Sequence, residues 1–228
     1  MKRWKKIALG VLVLLLAALI GLAVWQWNNL RAVYTFMTQD SGQIAQGLER
    51  KREEHHQAIR EEVELTVAPP STEQSEAILS GQATPEEVKE ALGITEQLKK
   101  TEETEQGSAS PACTEQELVN SCVAELYACK VDIMAELARL KQEAVDHWLS
   151  LPEEERTDGK MREIGMAGLE ACYDLEVSVD RQVQEILEKY RGRLKELGAG
   201  TGILDTLWNY YCDEKAAEKA YYLDKYMR

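Results

Sequence analysis

The chain is 228 residues long, with one Phe, five Pro and an abundance of Glu, Leu, Ala, Lys, Gln and Arg, the composition of long helices and not of a sheet. Its formal charge is −13, and all forty acids lie beyond residue 31 with twenty-two of the twenty-seven basic residues, so residues 32–228 carry −18. A surface of that sign repels phosphate backbones and anionic headgroups, which argues against nucleic acid as a partner.

Ile7 to Trp25 is a run of nineteen residues without a charge, about 28 Å long as a helix and so matched to the hydrocarbon core of a bilayer. It is longer than the apolar core of a cleaved signal peptide. Gly21-Leu22-Ala23 resembles a weak cleavage site, but the run stays apolar through Trp25. The reading is a retained signal-anchor helix over residues 7–27, with Trp4 at one headgroup level and Trp25 and Trp27 at the other. Lys2, Arg3, Lys5 and Lys6 precede the run and only Arg31 follows it within twenty residues. The positive-inside rule then makes residues 1–6 a cytoplasmic tail and sends the remainder outside the cytoplasm.

Residues 28–66 read as a helical stalk. Thr38-Gln-Asp-Ser41 supplies caps for a second segment, roughly 41–66, whose apolar positions Ile44, Leu48, Ile59 and Val63 form a thin stripe. A strict heptad would put Lys51 and His55 in the seam, which weakens the case for a dimeric coiled coil. Ala68-Pro69-Pro70 stops this helix. Residues 67–112 then read as short helices and a polar linker. Ser71-Thr-Glu-Gln74 and Thr84-Pro85-Glu86-Glu87 are capping boxes, the second with Pro at the first helical position and Gly93 just past the end. Residues 100–111 are polar enough to predict a flexible linker.

Residues 113–228 are predicted to form an antiparallel three-helix bundle. Thr114-Glu-Gln-Glu117 is a third capping box, and Leu118, Cys122, Leu126, Cys129, Ile133, Leu137, Leu140, Ala144 and Trp148 step by three or four after it. Leu151-Pro152 breaks that helix and Thr157-Asp158-Gly159 caps the next. There Met161, Ile164, Gly168, Cys172, Leu175, Val179, Val183, Ile186, Tyr190, Leu194 and Leu197 repeat the stepping. Gly198 to Gly202 turns the chain into a third helix, about 203–226, with Leu204, Leu207, Trp208, Tyr211 and Tyr222 on its apolar face. The fold class is therefore all-α: a transmembrane helix, an extended stalk and a bundle.

The five cysteines, Cys113, Cys122, Cys129, Cys172 and Cys212, all follow residue 112, and in an exported domain they can pair. Folding the first long helix onto the second about a turn near 151–155 sets Cys129 level with Cys172. Folding the second onto the third about Gly198–Gly200 sets Cys212 near Cys122. The expected disulfides are Cys129–Cys172 and Cys122–Cys212, with Cys113 left as a free or intermolecular thiol. The alternative is reduced cysteines serving as small core hydrophobes.

No catalytic signature is present: there is no G-x-S-x-G, H-E-x-x-H, P-loop or dinucleotide fingerprint. No catalytic residue, cofactor or metal site is expected. Glu53-Glu-His-His56 comes nearest to a ligand set, but adjacent histidines point about 100° apart on a helix. Tyr210, Tyr211, Tyr221, Tyr222 and Tyr226 crowd the last nineteen residues and form a candidate docking surface, or else pad a narrow bundle. The expectation is a non-enzymatic, single-pass extracytoplasmic scaffold or docking module. Its partners would be the bilayer, through residues 7–27, and another envelope protein or a second copy of the chain. A ligand- or cation-binding sensor ectodomain is the alternative.

Overall fold

The structure, a computed structural model, describes residues 27–106 and 114–227. Among these the chain is all-helical with no strand: α1 (Trp27–Thr38), α2 (Ser41–Glu62), α3 (Thr72–Leu79), α4 (Pro85–Ala91), α5 (Ile94–Gln106), α6 (Glu115–Ser150), α7 (Asp158–Leu197) and α8 (Gly202–Met227). The predicted transmembrane segment lies outside the described residues, as do Trp4 and Trp25, while Trp27 opens α1. No helix among the described residues is long and apolar enough to cross a membrane.

Helix starts follow the caps. Gln74 N donates to Ser71 Oγ while Ser71 N donates to Gln74 Oε1, at 3.1 and 2.9 Å. Thr84 with Glu87, and Thr114 with Glu117, close the same reciprocal box. Each box satisfies two amides that the helix itself leaves without acceptors. The backbone N–H groups of Thr84 and Thr114 hold the Glu87 and Glu117 carboxyls below the usual range. α6 stops at Leu151-Pro152, where the Arg156 guanidinium donates to the carbonyls of Leu149 and Leu151 at 2.7 and 3.1 Å. α7 ends on Gly198 at φ 74°, a left-handed position that costs glycine nothing.

Among the described residues the chain forms two compact units, one of residues 27–55 with 209–227 and one of His56–Trp208. In the second unit α6 and α7 lie antiparallel. Glu125 Oε1 accepts from Tyr190 OH and Lys189 Nζ, both at 2.6 Å, and Cys129 Sγ donates to Gln182 Oε1 at 3.7 Å. α3, α4 and α5 pack on α6, α5 near the N-terminus of α6 through Thr101 and Ser121, and α3 further along, where Lys141 Nζ donates to Leu79 O at 3.4 Å. Every residue from Leu118 to Ala124 of α6 is buried. Part of this buried surface is polar. Asn120 accepts from Thr66 N and donates to Glu64 O, both at 2.8 Å, and the Thr101 and Ser121 hydroxyls meet at 2.8 Å.

That polar seam corrects the predicted linker at 100–111. Residues up to Gln106 belong to α5, and Thr101 is buried. The docked face of α5 carries Gln97 and Thr101, which bond to Thr66 and Ser121, so a search for apolar stepping passes over it. Residues 107–113 lie outside the described residues.

In the first unit Ala32, Ile44 and Ala220 form a small core with Tyr221 packed against it. Ionic contacts surround it. Arg31 pairs with Asp213, and Arg52, 6 % exposed, donates to Glu214 and Glu218 at 2.7 Å each and to Glu49 at 3.1 Å. Residues 209–227 thus share a unit with α1 and the first part of α2, a grouping that differs from the predicted three-helix bundle over 113–228. Complementary charge explains it, since Asp213, Glu214 and Glu218 meet Arg31 and Arg52 beside a face of small residues, Ala216 and Ala220.

Candidate functional site

The α6–α7 hairpin changes character along its length. Buried residues of α6 end at Met134, and between residues 158 and 178 of α7 only Ile164 is buried. The part of the hairpin nearest the turn is therefore two helices deep, and two helices cannot cover all their apolar residues. Met166, Leu169, Tyr173 and Val177 are 49–66 % exposed. At 100° per residue they fall within an arc of about 80°. Ile164, Val179 and Val183, the buried residues of this helix, lie on a different arc. α7 thus carries two apolar faces, and one of them meets solvent. Val145 and Leu149 of α6 and Met161 of α7 are exposed in the same region.

Charge frames the strip. Arg162 and half-buried Asp180, which is engaged within the chain, stand about one turn beyond its two ends, and Glu170 and Asp174 line one edge. Gly165 and Gly168 sit in this stretch of helix, and a side-chain carbon at either would meet nothing within 4 Å. The strip is hidden in the sequence behind the series Met161, Ile164, Gly168 and Cys172, which accounts for one apolar face of α7 and masks a second. The signal was present as the 166, 169, 173, 177 stepping.

The tyrosine cluster belongs to the first unit. Tyr210 stacks on His55 with centroids 4.1 Å apart and planes 11° apart. Lys215 Nζ lies 5.2 Å from the Tyr211 centroid, and Tyr221 and Tyr222 meet edge to face at 5.2 Å. All four are half-buried, and Tyr226 falls in the last turn of α8.

No disulfide joins Cys122, Cys129, Cys172 or Cys212, and Cys113 lies outside the described residues. The expected Cys129–Cys172 pair fails on register. Cys129 faces Gln182, ten residues past Cys172 and about 15 Å further along the helix. Cys129 opposite Gln182 puts the midpoint of the hairpin between residues 155 and 156, whereas pairing Cys129 with Cys172 requires one between 150 and 151, and that difference of five residues shifts the partner by ten. Cys122 and Cys212 fall in different compact units. Burial pushes the Cys129 thiol up to about 11 and raises Cys122 and Cys172 as well. A protonated thiol is a poor nucleophile, so none of these three is primed for redox or acyl chemistry.

Within Glu53-Glu-His-His56, His55 is occupied by Tyr210, and Glu53 and Glu54 point to solvent. No group of three or more His, Cys, Asp or Glu side chains among the described residues is arranged to hold a metal ion. A half-open depression lined by Glu86, Lys89, Glu90, Thr95, Glu96 and Lys99 has charged walls, unlike the apolar clefts that enclose small molecules. No family model matches the chain, and no curated protein or solved structure matches it.

Proposed function

We propose that this chain is a non-enzymatic, membrane-tethered extracytoplasmic docking protein, held by a single N-terminal span over residues 7–27 and presenting the end of a helical hairpin to a protein partner. The observation that carries this reading is the exposed strip of Met166, Leu169, Tyr173 and Val177. Contiguous exposed apolar surface mostly marks a place where another macromolecule sits. A long, uncharged N-terminal run flanked by Lys2, Arg3, Lys5 and Lys6 supports the tether and its orientation.

Topology is tested on the full chain in intact bacterial cells. A cysteine replaces exposed Ser150 beside the hairpin turn, and a membrane-impermeant maleimide is applied before and after lysis. Cys113 and Cys212 are replaced by serine in the same chain, and the parent of that variant, with Ser150 intact and Cys122, Cys129 and Cys172 kept, supplies the labelling background. Labelling of S150C in intact cells, with the protein retained in alkali-washed membranes, is the expected result. Labelling only after lysis, or recovery in the soluble fraction, overturns the proposal.

A further inference from the structure

We draw no further inference here: the strongest candidate, the exposed apolar strip of Met166, Leu169, Tyr173 and Val177 along α7, belongs to the docking reading already given, and nothing in the structure shows what covers it.

Discussion

Arg52 shows how a charge can hold two helices where few apolar residues are available. Its guanidinium donates through Nε to Glu214 and through Nη2 to Glu218, which stand one helical turn apart on α8, and through Nη1 to Glu49 on its own helix. The charged form of Arg52 is favoured by these carboxylates despite the cost of its burial. Arg52→Met removes the cation from between Glu214 and Glu218 and is expected to destabilise the first unit by about 2–3 kcal/mol, below the cost for a fully enclosed pair because both acids keep some contact with water. Adding E214Q and E218Q should return much of the loss. Urea unfolding followed by circular dichroism measures both, and a change below about 0.5 kcal/mol for the single variant contradicts the assignment.

His55, three residues on, gives the same unit a dependence on pH. Its ring is stacked on Tyr210 and its Nδ1 is buried with no hydrogen-bond partner. Burial, the largest influence, lowers its pKa, outweighing the attraction of Glu214 and Asp213. The unfolded chain therefore takes up this proton first. Stability is fully present above the ordinary histidine value of about 6.5 and falls as pH drops below it. The urea midpoint is expected to decline between about pH 7.5 and pH 5.5, above the range where most carboxylates titrate. His55→Phe keeps the stack and should flatten that decline; an unchanged slope in the variant means that other groups cause it.

At the scale of elements, the short helices are set by their caps and the long ones by packing. Thr84→Ala and Thr114→Ala each open a capping box and are expected to cost about 1 kcal/mol. Gly165→Ala and Gly168→Ala act in the opposite direction. Both glycines are mid-helix with open space around them, so alanine should stabilise α7 by about 0.5–1 kcal/mol at each. Thermal melting of the four variants tests both signs together. A loss on Gly165→Ala would show that the glycine serves a close approach.

These elements also show what the sequence could and could not disclose. Ser71, Thr84, Thr114 and Thr157 marked their helix starts because a capping hydroxyl acts on amides two or three residues away, within reach of local reading. α5 is not foreseen by its sequence, which reads as a polar stretch running into a linker over 100–111, because Gln97 and Thr101 are buried through hydrogen bonds to Ser121 and Thr66, distant in sequence. The grouping of α8 with α1 and α2 rests on Arg31 and Arg52 meeting acids more than 160 residues away, which no periodicity encodes. The cysteine pairing failed for a geometric reason, since a hairpin doubles any error in its midpoint. The exposed strip on α7 was legible, but only to a search that allowed one helix two apolar faces.

Across the whole molecule, the α6–α7 hairpin joins a well-packed segment to an arm held mainly by local forces. Residues 118–134 of α6 and 179–194 of α7 contain nearly all of its buried side chains, with Tyr190 and Leu194 wholly enclosed. Toward the turn the polar support comes largely from pairs one turn apart on a single helix, Arg139 with Glu136 and Glu143, and Lys160 with Glu163, beside the Arg156 bonds at the turn itself and the Lys141 bond to Leu79 O. Such solvated pairs add little and are weakened by salt. The arm should therefore open locally without unfolding the remainder. In dilute solution, amides of 136–150 and 158–172 are expected to exchange with solvent at least about tenfold faster than those of 118–134 and 179–194, with the difference widening as salt is raised. Uniform exchange along both helices would show that the arm is as stable as the packed segment.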